Sequence, residues 1–136
     1  MPALLADVNA EGHLAAILSI CESPAWLEYW QSLGVTVYRD VTTIGLHRRI
    51  SDRDLWITCQ QRGILLVTIN RNQDGPDSLG ATIAALGTAD SLPVLTLGNA
   101  APLLNDRSYA EEAVFRLIDV IEDIDRARGS GRLYLP

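Results

Sequence analysis

One stretch constrains the fold more than any other, because residues 51–72 join a helix signal directly to a buried-strand signal. Ser51 is a favoured N-cap, and Asp54 three positions later completes a pair of the capping-box type. Gly63 supplies the left-handed residue that commonly ends a helix. The apolar run at residues 64–69 lacks polar alternation, which predicts a strand buried on both faces. Such a helix–strand unit is typical of a parallel α/β sheet.

The rest of the chain repeats this alternation of apolar runs and helical patterns. Further strands are predicted at residues 3–8, 35–38 and 93–97, and further helices at residues 14–21, 23–33, about 77–86 and 108–128. We therefore predict a single domain over residues 1–136, with a three-layer Rossmann-like parallel sheet of about four strands and helices on both faces. The apolar tail, residues 129–136, is expected to pack on this domain or on a second subunit, and we expect a homo-oligomer.

Composition narrows the class of protein. A net charge of −6 argues against a broad basic surface for duplex nucleic acid, but carboxylates that hold divalent cations are compatible with a nuclease. Cys21 and Cys59 lack metal-ligand spacing and are expected to be buried thiols in a reducing cytoplasm. The start of the chain lacks the basic region of a signal peptide, and no apolar run approaches the roughly 18–20 residues that span a bilayer. We expect a cytoplasmic protein without membrane contact.

Polar side chains gather where the predicted strands end and where one helix begins. Because carboxyl ends of parallel strands share one edge of a sheet, we expect these side chains to converge there. The candidates are Asp7, Asn9, Asp52, Asp54, Asn70, Asn72 and Asp74. Such hard oxygen ligands suit Mg²⁺ or Mn²⁺, and a bound cation activates water for attack on a phosphodiester. Asp52 and Asp54 have an alternative role, since acids in a first helical turn stabilise the helix without metal.

The only dense basic cluster lies in the long segment 39–50 and consists of His47, Arg48 and Arg49. It is either part of a solvated loop or a phosphate contact beside the site. Trp26 and Trp30 fit a core or an interface, with base stacking as the alternative.

The order of these motifs resembles small bacterial PIN-like domains related to toxin ribonucleases. The resemblance covers roughly residues 3–97, and its segments are residues 4–9, 34–40, 51–56 and 63–72. It implies a Rossmann-like sheet and an acidic cluster that binds divalent metal for RNA cleavage, with Asp7 as the first-strand acid and Asp52 as the helix-start acid. It also implies RNA as a substrate and an antitoxin or other protein as a partner.

The chain departs from the family pattern after the third strand. Where the family usually has Val-Thr-x-Asp-x-Asp, residues 67–72 read Val-Thr-Ile-Asn-Arg-Asn. The amides of Asn70 and Asn72 bring no charge, which weakens Mg²⁺ binding. Asp74 is a substitute ligand, and Arg71 is either a substrate contact or a built-in cation.

Three hypotheses follow from the sequence. The leading one is a PIN-like, Mg²⁺- or Mn²⁺-dependent endoribonuclease with a weakened site. In it Asp7 and Asp52 bind metal, Asn70, Asn72 and Asp74 complete the site, and Asn9, Arg71 and the basic cluster contact substrate. The rival is a catalytically inactive PIN-like interaction module, whose partner surface uses the tail around Tyr134 and the tryptophan helix. A nucleotide-binding protein is the third, and it lacks a glycine fingerprint.

Overall fold

The computed structural model describes residues 3–69, 75 and 78–135. Its strands are β1 (Ala3–Ala6), β2 (Val37–Tyr38), β3 (Ile64–Thr68), β4 (Val94–Leu97) and β5 (Arg132–Leu135). Its helices are α1 (Glu11–Cys21), α2 (Leu27–Leu33), α3 (Asp52–Arg62), α4 (Leu79–Leu86), α5 (Ala100–Asn105), α6 (Arg107–Glu122) and α7 (Ile124–Ala127). Short 3₁₀ turns cover Val8–Ala10 and Val41–Ile44.

The described strands form one parallel sheet in the order β2-β1-β3-β4-β5. The predicted α/β class and parallel sheet are therefore confirmed, with five strands in place of about four. The additional strand is the apolar tail, whose residues 132–135 pair with β4 from Val94↔Arg132 to Leu97↔Leu135. Tail residues thus pack on the chain's own sheet edge.

Side-chain alternation along the buried strands builds two separate cores. Leu4, Leu65 and Leu95 face the core formed with α1, α2, α5 and α6. Leu5, Leu66 and Val94 face the opposite core, formed with α3 and α4. Helices therefore cover both faces of the sheet, which explains why its strands are continuous apolar runs.

Local capping signals were predicted correctly around α3. The Ser51 hydroxyl accepts a hydrogen bond from the backbone N–H of Asp54 at 3.1 Å, and Gly63 ends the helix with φ of 68°. The Ser51 hydroxyl thus pairs a backbone N–H of the first turn, and the N–H of Gly63 donates to the carbonyls of Cys59 and Gln60 in the last turn. A helix end otherwise leaves such backbone groups unpaired.

Two predicted helix starts were wrong. The pair Ser23–Pro24 does not begin α2, which starts at Leu27 after a run of turns. Ser108 is not the N-cap of α6, because the carboxylate of Asp106 accepts hydrogen bonds from the N–H groups of Ser108 and Tyr109 and the helix begins at Arg107.

Both cysteines are buried free thiols, as predicted. Burial raises the pKa of Cys21 and of Cys59 to about 12, so neither thiol ionises near neutral pH. Within the described residues, no helix combines the length and apolar character needed to cross a membrane.

Candidate functional site

The strand order creates a crevice between β1 and β3. From β1 the chain moves outward to β2, and it then returns on the other side of β1 to form β3. Ligands of open parallel sheets bind outside the carboxyl ends of the strands at such a reversal. Asp7 follows β1 directly and Thr68 ends β3, so these two residues stand at the crevice.

Asp7 is held rigidly at this position. Its Oδ1 accepts hydrogen bonds from the N–H groups of Asn9 at 3.1 Å and Ala10 at 3.0 Å, which makes it the cap of the following turn. The hydroxyl of Thr68 donates to its Oδ2. The residue is only 8% exposed. The side chain is therefore oriented by both strands of the crevice.

A second carboxylate lies close enough to act on Asp7. Burial raises the pKa of Asp7, its three hydrogen bonds oppose that effect, and the charge of Asp52 raises the pKa further. Asp52 is the first residue of α3, the helix that covers this face of the sheet. Of the three acids predicted as metal ligands, Asp7 and Asp52 are therefore near enough for their charges to interact, whereas Asp74 lies outside the described residues.

Polar side chains continue from Asp7 across the sheet. Thr68 pairs in register with Thr96 of β4, and both side chains are fully buried on the face that α3 covers. The guanidinium of Arg132 on β5 donates to Thr96 Oγ1 at 2.8 Å. Burial lowers the pKa of Arg132, whereas Tyr134 and Asp52 raise it. We call Asp7, Thr68, Thr96 and Arg132 the polar row.

Sequence reasoning missed three members of the polar row. Each of Thr68 and Thr96 is a single polar residue inside an apolar run, and that position was the available signal. Leu133 and Leu135 face the core formed with α1 and α6. Successive side chains of a strand point to opposite faces, so Arg132 lies on the face that α3 covers, but this follows only if the tail is recognised as a strand.

The basic cluster is tied to the same edge of the sheet. Arg48 forms an ion pair with Glu11 at 2.7 Å, and Glu11 begins α1 just beyond the turn that Asp7 caps. The Nδ1 of His47 accepts a hydrogen bond from the backbone N–H of Arg49. The cluster therefore borders the edge where the acids lie, while Arg48 is already engaged by a carboxylate.

The remaining predicted site residues divide into two groups. Asn9 is exposed in the turn after β1, where its backbone N–H donates a hydrogen bond to Asp7. Asn70, Arg71, Asn72 and Asp74 lie outside the described residues, so their contacts stay predictions.

The described residues supply only part of a ligand set for a divalent metal at this edge of the sheet. Across residues 3–69, 75 and 78–135, no group of three or more His, Cys, Asp or Glu side chains is arranged to hold a metal ion. Two neighbouring carboxylates are nevertheless compatible with Mg²⁺ or Mn²⁺, which keep several waters and use one or two carboxylates. Among the described residues, Asn9, Ala10 and Thr68 donate to Asp7, and these bonds use both acceptor positions of Oδ1 and one of the two on Oδ2.

Comparison with known proteins adds no family assignment, since no family model, curated protein or solved structure matches the chain.

Proposed function

We propose that this chain is a PIN-like domain that binds Mg²⁺ or Mn²⁺ weakly at Asp7 and Asp52 and cleaves RNA slowly. The observation that carries the proposal is the place of Asp7, a buried carboxylate at the strand reversal whose pKa is raised mainly by burial and in smaller part by the charge of Asp52. A nearby like charge favours a bound cation, and carboxylates with a shifted pKa gather at functional sites.

The residues have separate roles in this proposal. Asp7 offers Oδ2, which also accepts the Thr68 hydroxyl, and Asp52 offers its carboxylate from the start of α3. The cation would supply a water made acidic enough to attack a phosphodiester. Asn70, Asn72 and Asp74 complete the ligand set, and Asn9, His47, Arg49 and Arg71 contact the RNA backbone.

Arg48 has a distinct role because it is paired with Glu11. The ion pair holds the basic cluster against the start of α1 through both terminal nitrogens of the guanidinium, and in this proposal the N–H donors that Glu11 does not use bind phosphate. Arginine suits this task because its five N–H donors serve two acceptors at once.

RNA cleavage by Asp52→Asn tests the proposal against a matched control. Asp52 and Asp54 both lie in the first turn of α3, so either substitution removes one charge from the same helix end. The charge of Asp52 contributes to the raised pKa of Asp7. We expect Asp52→Asn to lower Mn²⁺-dependent cleavage by at least about 100-fold, since even supporting residues of metal sites contribute about 10–100-fold.

Asp54→Asn should cleave RNA at the wild-type rate, and EDTA should stop cleavage by both proteins. Equal cleavage by wild type and Asp52→Asn, or cleavage that persists in EDTA, would contradict the proposed metal site.

The second candidate function is a catalytically inactive PIN-like interaction module, and Arg132 favours it. Its positive charge acts on Asp52 from within the fold. A built-in cation compensates an acid without metal and reduces the attraction for a divalent ion. The sequence had suggested Arg71 as the built-in cation. Among the described residues, Arg132 is the arginine whose charge interacts with Asp52.

A groove between α2 and α6 provides the partner surface for this second function. Its volume is about 690 Å³, and its aromatic wall includes Trp26 and Phe115, whose rings meet edge to face at 4.9 Å. Phe115 and Tyr29 are 58% and 44% exposed. The groove also carries the acids Glu111, Asp119 and Glu122 against one arginine, Arg107.

Apolar and acidic side chains together suit a protein segment that presents apolar and basic residues. An antitoxin or another protein partner of this chemistry belongs to the proposal, as do a homo-oligomer and a cytoplasmic location. Mn²⁺ binding separates the two candidate functions, because the inactive module requires none.

A further inference from the structure

The groove between α2 and α6 follows one face of the longer helix. Four side chains of α6 that line it recur at intervals of three or four residues, namely Glu111, Phe115, Asp119 and Glu122. Residues at this spacing form one stripe along a helix. At 1.5 Å of rise for each residue the stripe is roughly 16 Å long, or about three helical turns. The groove therefore has the length of a short chain segment.

Aromatic side chains are exposed in this groove. Tyr29 and Phe115 are among the large apolar side chains that stay exposed, and the ring of Trp26 meets that of Phe115 edge to face. Rings have few rotatable bonds, so a partner that covers them gains apolar contact at a low cost in side-chain entropy. Apolar side chains that cluster within a rim of polar residues mark an interaction site.

The groove carries more negative than positive charge. Glu111 forms an ion pair with Arg107 at 3.0 Å, whereas Asp119 and Glu122 form none within the part of the chain that the structure describes. The Tyr29 hydroxyl donates a hydrogen bond to Glu122. This bond raises the pKa of Tyr29, and the charges of Glu122 and Asp119 raise it further. A cation at this place would gain two carboxylates and the face of an aromatic ring.

The walls of the groove favour one conformation of the partner. An extended segment gains much of its affinity from backbone hydrogen bonds to a sheet edge, and the sides of α2 and α6 use their backbone groups within each helix. A helix pairs its own backbone groups. Its side chains also recur every three to four residues, so that they interdigitate with a stripe of the same spacing.

We propose that the groove binds an amphipathic helix of a partner protein, whose apolar side chains pack on the aromatic rings and whose arginine or lysine contacts Asp119 and Glu122. The inference rests on the partner surface of the second candidate function and names its occupant. It requires no metal, so Mn²⁺ binding decides the acidic site at Asp7 separately.

A display library of random peptides of about 16 residues tests the proposal on the full chain. Peptides that bind wild type but not Phe115→Ser occupy the groove, because Phe115 lines it. We expect them to carry apolar residues at three- and four-residue intervals, an arginine or lysine one turn away, and no internal proline. Leu104→Ser is the control, since Leu104 is comparably exposed and lies outside the groove. It should bind these peptides as wild type does.

Calorimetry with the selected peptides tests the charge of the groove. Asp119→Lys should weaken their binding by at least about tenfold, because it sets a cation against the basic side chain of the peptide. Glu112→Lys makes the same change of charge at an exposed position of α6 that does not line the groove. It should bind within about twofold of wild type, since solvent and salt screen a charge outside the contact.

Selected peptides that depend on Phe115 but are acidic or rich in proline would overturn the helix proposal and leave the partner surface in place. The absence of any peptide that depends on Phe115 would overturn both, and so would equal binding by Asp119→Lys and Glu112→Lys overturn the role of the acids. Self-association of wild type that Phe115→Ser abolishes would also contradict the proposal, because a second copy of this chain would then fill the groove.

Discussion

Replacing Asp7 by alanine should lower the free energy of unfolding by about 2–4 kcal/mol, as measured by urea denaturation. The carboxylate is the acceptor for the N–H groups of Asn9 and Ala10 and for the Thr68 hydroxyl. Ala10 and Thr68 are fully buried, so water does not replace the lost acceptor at low cost. The substitution also removes the cap of the turn between β1 and α1.

Asp7→Asn is the matched control, because the amide keeps the size of the carboxylate. Its oxygen is able to accept from the two backbone N–H groups, and its nitrogen is able to donate to Thr68. If Asp7→Asn lowers the free energy of unfolding as much as Asp7→Ala does, the hydrogen bonds of Asp7 do not explain its contribution to stability.

The pH dependence of the same variant follows from the raised pKa of Asp7, whose ordinary value is 3.8. Burial is the main cause, so the folded state holds the proton more tightly than the unfolded state. The stability that protonated Asp7 contributes is fully present below pH 3.8 and is lost as the pH rises through the raised pKa. Asp7→Asn should therefore be at least as stable as wild type at pH 7, with the difference shrinking below pH 3.8.

Replacing Leu95 by alanine should lower the free energy of unfolding by about 3 kcal/mol, within the range of about 2–5 kcal/mol for such substitutions of buried leucines. Leu95 lies on β4, between β3 and β5, and its side chain is 0% exposed in the core shared with α1 and α6. The substitution removes apolar contacts and leaves a cavity that a central strand is unable to close by shifting.

Leu104→Ala removes the same atoms from a side chain that is 54% exposed. Its effect should stay within about 0.5 kcal/mol. Guanidinium denaturation of both variants checks the assignment, and similar losses for the two leucines would show that Leu95 does not occupy the core.

The sequence was sufficient for the fold class because its local signals agree with one another. The apolar run at β3, the Ser51 cap and the Gly63 stop all act over a few residues, and the structure places them as predicted. The start of α6 was missed because Asp106 and Ser108 are both good caps, and the choice depends on how the preceding α5 ends. The strand character of residues 132–135 depends on pairing with β4, which lies more than thirty residues earlier.

The candidate site was predictable only where a residue follows its own strand directly. Asp7 was found because the end of β1 places it at the crevice without help from other elements. The convergence of Asp7 and Asp52 on one metal stays a prediction, since burial is the main cause of the raised pKa of Asp7 and the charge of Asp52 is a smaller one. Thr96 and Arg132 join the polar row through register between strands, and no local sequence pattern encodes that register.

Calorimetric titration with Mn²⁺ tests the central claim most directly, because it measures binding at the acidic pair without depending on an RNA substrate. Wild type and Asp54→Asn should bind one Mn²⁺ with a sub-millimolar to millimolar Kd, and Asp7→Asn and Asp52→Asn should show no binding heat over the same range. If wild type binds no Mn²⁺ at millimolar concentration, or if all four proteins bind it equally, Asp7 and Asp52 do not form a metal site.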